Sequence, residues 1–125
     1  DWFEDESKLL LGEYISINES RLYLLDMENG AKELITPRET VPVAYGNARF
    51  AKDGKSIFYT TDKGSEFLRL VRMDLQTKLT QVLTPDIAWN VEDFDLSPDG
   101  KTIAFITNED GVGKIHLIDA RSGKN

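Results

Sequence analysis

The chain has 125 residues, of which 40% are hydrophobic and 30% are charged, which is the balance of a globular domain rather than of a disordered segment. Its formal net charge of −7 argues against a nucleic-acid-binding protein, and no apolar run of about 18 residues is present to span a membrane. The absence of cysteine excludes disulfides, thiol chemistry and cysteine-ligated zinc. The sequence starts with an acidic stretch instead of Met or a signal peptide, so we expect a piece of a longer protein, and no compartment is indicated.

The chain repeats itself along its length. Residues 2–37 match residues 50–85 without a gap at one offset, since 50 − 2 = 48. A third copy follows at an offset of 46 (100 − 54 = 46), which falls to 45 after a single deletion within a polar stretch. Repeats of this length indicate a modular architecture. The clearest matches are Asp5 with Asp53 and Asp99, Leu22 with Leu70, and Leu34-Ile35-Thr36-Pro37 with Val82-Leu83-Thr84-Pro85.

Each unit predicts short β-strands, because β-branched and aromatic runs of roughly five to eight residues are bounded by Gly, Pro, Asn and Asp. No segment has the 3.6-residue apolar period of a helix. The third unit ends before any fourth strand. The predicted strands are 48–50, 56–61, 67–74 and 79–83 in the second unit, and 91–96, 102–107 and 114–119 in the third.

A turn between the first two strands of each unit has a chemical basis. In Ser97-Pro98-Asp99-Gly100, the proline presets φ for a type I turn and the glycine then adopts a positive φ. Asp53-Gly54 predicts the same turn without proline. In the first unit Glu6 occupies the glycine position (54 − 48 = 6), so we expect a different or strained turn there.

Four strands per unit at this repeat length predict an all-β fold, a β-propeller fragment of about three four-stranded antiparallel blades with the last incomplete. The blades are expected at about 1–37, 46–85 and 91–125. Adjacent apolar residues in the second strands fit a sheet covered on both faces, whereas a single β-sandwich, the alternative, predicts cleaner alternation. Because three blades do not close a ring, the fragment should expose apolar faces and strand edges, and it either belongs to a longer parent or self-associates.

The segment Phe94-Asp95-Leu96-Ser97-Pro98-Asp99-Gly100-Lys101 resembles the blade signature of TolB-type propellers and of the propeller in prolyl oligopeptidase (S9) family serine peptidases. The flanks Trp89-Asn90-Val91-Glu92-Asp93 and Thr107-Asn108-Glu109-Asp110-Gly111 are similar to stretches in dipeptidyl and acylaminoacyl peptidase-like members. That resemblance implies a propeller that caps an α/β-hydrolase domain of the parent chain and restricts access to peptides. The alternative is a TolB-like propeller that binds a protein or peptide partner with no enzyme attached.

No catalytic residue is predicted in this chain. It has no Gly-x-Ser-x-Gly elbow, and its one histidine, His116, lies in a predicted strand, where we expect a structural role. No cofactor or metal site is expected, since acidic clusters at 1–6, 92–95 and 108–110 lack the spacing of a calcium-binding loop. We expect these clusters to be solvated turns and strand ends, with contact to an ion or a substrate as the alternative.

Four residues remain candidates for the propeller channel or for contact with a substrate: Trp89, Glu92, Asp93 and Glu109. A propeller enzyme with acidic groups at its channel would need clustered carboxylates or histidines that the sequence does not single out. A recurring aspartate at the end of each third strand (Asp26, Asp74 and Asp119) indicates a structural role, because a short carboxylate there can accept N–H bonds from the following turn. Trp2 matches Phe50 and is expected in the core.

Overall fold

The computed structural model describes residues 1–3, 5–16, 19–36 and 42–124, which form β-strands and no helix. The strands pair antiparallel in three sheets, β1-β2-β3 (blade 1), β4-β5-β6-β7 (blade 2) and β8-β9-β10 (blade 3), which confirms the predicted all-β propeller architecture. No helix capable of crossing a membrane occurs in the part of the chain that the structure describes. The strands are β1 (Lys8–Ser16), β2 (Glu19–Asp26), β3 (Lys32–Leu34), β4 (Tyr45–Phe50), β5 (Ser56–Thr61), β6 (Arg69–Asp74), β7 (Thr80–Val82), β8 (Val91–Leu96), β9 (Thr102–Glu109) and β10 (Val112–Asp119).

Blade 1 departs from the four strands expected of the first unit. Its counterpart of β4 is a single bridge between Trp2 and Leu9, equivalent to the pairing of Phe50 with Ile57 in blade 2. The repeat offset explains this, because only the last two residues of β4 have counterparts in the sequence (49 − 48 = 1). Blade 3 has three strands, as expected, whereas Pro37 and Asn125 at the predicted blade ends and Glu4 of the first acidic cluster lie outside the described residues.

Blade 2 is covered on both faces, as its sequence predicts. All six residues of β5 are buried, and its three apolar residues alternate between two apolar clusters. Ile57 packs in the core shared with blade 1, whereas Phe58 packs in the core shared with blade 3. The two interfaces between blades therefore form the apolar core. Each buried aliphatic or aromatic side chain of this size contributes about 1.5–3 kcal/mol to the free energy of unfolding.

The turn predicted between the first two strands recurs in all three units. Gly54 and Gly100 have φ values of 71° and 74°, and Glu6 has a φ of 64° at the equivalent position. In each turn the N–H of this residue donates to the carbonyl oxygen three residues earlier, at 2.8–3.0 Å. The first turn therefore keeps the same geometry, with a glutamate in the left-handed conformation that favours glycine.

The recurring aspartates hold the turns that follow the third strands, as predicted. Each carboxylate accepts a hydrogen bond at 2.9 Å from the N–H two residues later, in the pairs Asp26–Glu28, Asp74–Gln76 and Asp119–Arg121. A hydrogen bond from the backbone of Thr77 is the largest cause lowering the pKa of Asp74, and one from Ser122 does the same for Asp119. The aspartate recurs in every blade because each of these turns has backbone N–H groups that donate to its carboxylate.

The two end faces of the three-blade stack are open. On blade 1, Trp2 is 51% exposed, so its predicted core position is wrong even though its pairing matches that of Phe50. Phe50 is covered by blade 1, whereas no described residue covers the corresponding face at Trp2. On blade 3, Ile115 and Leu117 of the edge strand β10 are 75% and 60% exposed.

Candidate functional site

The four candidate residues lie at one end of blade 3. Glu92 and Asp93 are the second and third residues of β8, Trp89 precedes that strand, and Glu109 ends β9. Because Val91 pairs with Thr107, the start of β8 and the end of β9 share this end of the sheet. The structure thus brings the four candidates to one region, although no described contact joins Glu109 to Glu92 or Asp93. Trp89 remains 39% exposed.

Carboxylates on the first strands bond to backbone N–H groups. Asp93 and Asp95 each accept from the N–H of the next residue at 2.9 Å, and Asp1 accepts from the N–H of Phe50 at 3.0 Å. The Asn47 side chain on β4 donates to the carbonyl oxygen of Glu92 on β8 at 3.1 Å, which ties the two first strands together. Among the residues that the structure describes, no three potential metal ligands cluster closely enough to hold an ion.

Glu109 belongs to a polar network that the sequence did not reveal. The Thr107 hydroxyl donates to Glu109 Oε2 at 2.6 Å, and His116 Nε2 lies 3.1 Å from the same oxygen. Lys114 Nζ lies 3.4 Å from Oε1. The pKa of Glu109 is lowered, mainly by the hydrogen bond from Thr107 and further by those from His116 and Lys114 and by the charge of Lys114.

The geometry of this network differs from that of a catalytic relay. His116 Nε2 contacts both the Thr107 hydroxyl, at 3.0 Å, and Glu109, whereas a relay places its nucleophile and its acid on opposite ring nitrogens. Thr107 is fully buried, and the His116 ring stacks on Phe105 with a centroid distance of 4.7 Å. The sequence feature that could have predicted these contacts is the tight turn at Asp110-Gly111. This turn places Thr107 opposite Lys114 and Phe105 opposite His116 on the paired strands.

A second site, also missed from the sequence, is a pocket of about 540 Å³ between β3 of blade 1 and the sheet of blade 2. Lys63, Arg69 and Lys78 line it, and none of the described lining residues is acidic although the whole chain carries −7. Lys78 also forms an ion pair with Glu33 at 3.4 Å. The remaining lining residues are Leu34, Ile35, Thr36, Tyr45, Tyr59, Thr61, Val71, Met73, Thr80 and Val82.

One buried donor of this pocket lacks a partner among the described residues. Arg69 donates through Nη2 to the carbonyl oxygen of Lys63 at 3.0 Å, but its buried Nε has no hydrogen-bond partner. Tyr59 is 3% exposed and packs its ring against that of Tyr45, with 5.8 Å between the ring centroids. Burial raises the pKa of Tyr59 to about 12, so the hydroxyl keeps its proton at neutral pH. An unpaired buried polar group costs about 1–3 kcal/mol.

No protein-family model matches the sequence, and no curated protein does. Among solved structures, TolB from Acinetobacter baumannii is 26% identical with a TM-score of 0.76, and the match covers 98% of this chain and 29% of that one. A TolB from Agrobacterium tumefaciens is 18% identical (TM-score 0.81, 99% and 45% coverage), and a prolyl endopeptidase is 15% identical (TM-score 0.79, 99% and 18% coverage). The chain thus spans less than half the length of these similar proteins, and it has the fold of a segment of TolB-type and prolyl endopeptidase propellers.

Proposed function

We propose that this chain is a non-catalytic propeller segment that, in a longer parent protein, caps and gates a serine peptidase domain of the α/β-hydrolase fold. The observation that carries the proposal is the stack of three blades with open end faces, which matches a segment of a much longer prolyl endopeptidase. Further blades of the parent chain would cover Trp2 on one face and Ile115 and Leu117 on the other. The closed ring would admit peptides and exclude folded proteins.

The first strands of the blades would supply the gate. In a closed propeller these strands line the central channel, and here β8 carries Glu92, Asp93 and Asp95 while β4 carries Arg49. The acidic side chains lie at the surface, so they would favour peptides with positively charged groups. Trp89, which is partly exposed at the same end, would offer an aromatic contact.

The parent protein provides the test. We expect a fluorophosphonate probe to label a serine outside this segment, and cleavage to fall steeply as peptide substrates lengthen into folded domains. Asp93→Asn combined with Glu92→Gln should raise KM for basic peptides more than for neutral ones, with little change in kcat. A labelled serine with equal cleavage of folded and short substrates would contradict gating, and an unlabelled parent would remove the peptidase assignment.

A TolB-like scaffold that binds a protein or peptide partner is the second candidate. The observation in its favour is the identity of 26% to TolB from Acinetobacter baumannii, against 15% to the prolyl endopeptidase. If the chain is such a scaffold, we expect the parent protein to lack a Gly-x-Ser-x-Gly elbow and to remain unlabelled by the fluorophosphonate probe. The same labelling experiment therefore separates the two candidates.

A further inference from the structure

We propose that the open edge of strand β10 binds an extended segment of the parent chain in which two aliphatic residues are followed by Thr-Pro. This segment would be the fourth strand of blade 3, and β10 would recognise its side chains as well as its backbone. The inference rests on the longer parent chain proposed above, but on neither its peptidase nor its scaffold function. It is carried by the way in which blades 1 and 2 hold their own last strands, β3 and β7.

The last strands of blades 1 and 2 end in the same pair of hydrogen bonds. In blade 2, the N–H of Leu83 donates to the carbonyl oxygen of Leu70 at 2.8 Å, and the N–H of Leu70 donates to the hydroxyl oxygen of Thr84 at 3.2 Å. Blade 1 has both bonds, at 3.0 and 3.3 Å, between the equivalent residues Ile35, Leu22 and Thr36. Both threonines are buried. A threonine side chain thus serves as the acceptor where each strand ends, and the proline that follows it in the sequence has no N–H to continue the pairing.

Strand β10 presents the same backbone groups at an edge that no described strand covers. Ile115 is the counterpart of Leu70 (70 + 45 = 115), and it pairs with Ile106 as Leu70 pairs with Thr60 (60 + 46 = 106). The register of an antiparallel ladder fixes the side to which each residue directs its N–H and C=O groups. Both groups of Ile115 therefore point away from β9, toward the edge where blades 1 and 2 bind their last strands.

The turn after β10 sets the direction and the register of the missing strand. The N–H of Asp119 donates to the carbonyl oxygen of Lys124 at 2.7 Å, as the N–H of Asp74 does to that of Leu79 at 2.9 Å. Lys124 therefore holds the position directly before a fourth strand (79 + 45 = 124). A segment that continues antiparallel to β10 would place its threonine opposite Ile115 when it lies five residues after Lys124 (84 − 79 = 5).

A groove of about 970 Å³ beside β10 would receive the first of the two aliphatic residues. Its walls include Leu83 of blade 2 and His116 and Ile118 of β10. In blade 2 the equivalent residue is Val82, which pairs with Val71, the counterpart of His116 (71 + 45 = 116), and packs on the core shared with blade 1. The first aliphatic side chain would therefore lie between β10 and blade 2, and the second on the opposite face of the sheet.

Titration of the 125-residue chain with the peptide Gln-Val-Leu-Thr-Pro-Asp, which is identical to residues 81–86, tests this recognition by NMR. We expect saturable shifts in β10 and in the groove. A peptide with valine in place of threonine keeps the shape but removes the acceptor for Ile115, so it should bind about threefold to tenfold more weakly. A peptide with aspartate in place of valine should bind at least about tenfold more weakly, because its charge would enter an apolar groove.

A covalent extension of the chain gives an independent test. Appending Gln-Val-Leu-Thr-Pro after Asn125 places the threonine five residues after Lys124, so we expect a higher melting temperature and loss of binding of the free peptide. The matched control, Gly-Gln-Val-Leu-Thr-Pro, has the same residues shifted by one position, which turns each side chain to the wrong face and should remove the gain.

Three results would overturn the proposal. They are the absence of saturable binding, equal affinity for the threonine and valine peptides, and an equal gain in melting temperature from the shifted extension. If a second copy of the chain occupies β10 and saturating peptide does not displace it, the edge belongs to a dimer interface and the proposal is also wrong. Because these measurements use the isolated chain, their failure is distinct from a failure of fluorophosphonate labelling in the parent protein.

Discussion

Replacing Glu6 by glycine should stabilise the protein. Glu6 has a φ of 64°, and a residue with a side chain pays about 1–2 kcal/mol in the left-handed region. Glycine removes that cost but adds about 0.5–1 kcal/mol of chain entropy in the unfolded state. The net expectation is a gain of about 0.5–1 kcal/mol, or a rise of about 2–4 °C in melting temperature for a domain of this size. Urea unfolding of the purified wild-type and variant proteins, followed by tryptophan fluorescence, measures this gain in the free energy of unfolding.

Two further variants make this reasoning refutable. Glu6→Ala changes the side chain but keeps the left-handed strain, so it should lack the gain. Gly54→Ala at the equivalent turn should lose stability, since φ is 71° and an added Cβ would lie 2.7 Å from Cζ of Phe3. If Glu6→Gly is neutral or destabilising, or if Glu6→Ala gains as much, relief of backbone strain is not the cause.

Two other predictions concern the edge strand and the polar network of blade 3. The isolated chain should self-associate through its open faces, and Ile115→Lys with Leu117→Lys should shift it toward monomer in light-scattering measurements while leaving its melting temperature nearly unchanged; a wild-type monomer would contradict this. Because folding lowers the pKa of Glu109 below its ordinary value of 4.5, its contribution to stability is present above that value and is lost as the pH falls through the lowered pKa. Unfolding of Glu109→Gln between pH 3 and 7 should show a weaker pH dependence than wild type, and identical profiles would refute the assignment.

The repeat predicted most of the fold because the same turns and strands recur in register. The glycines Gly54 and Gly100 predict the positive φ that both residues have, and the aspartates at the ends of the third strands predict the capped turns that follow them. Such features depend on interactions between residues close in sequence, so a short stretch of the sequence is enough to predict them. The error at Trp2 has a tertiary cause, since its position in the repeat is that of Phe50 but no described blade covers its face.

The sites were harder to predict than the strands. The sequence indicates Glu109 as part of an acidic cluster, whereas in the structure it contacts Thr107 and His116 because of the register of the β9–β10 hairpin. The pocket beside Arg69 was not predicted at all. Its walls come from two blades, so no single stretch of sequence contains it.

By itself, the sequence determined the repeat, the strands, the turns and the absence of a Gly-x-Ser-x-Gly elbow, because these depend on residue order and local backbone chemistry. Only the tertiary structure decided which faces are open and which charged groups meet. Burial and pairing depend on what lies across the sheet and in the next blade. Arg21, Arg69 and Lys114 hold equivalent places in the repeat, yet Arg69 alone of the three faces no carboxylate among the described residues.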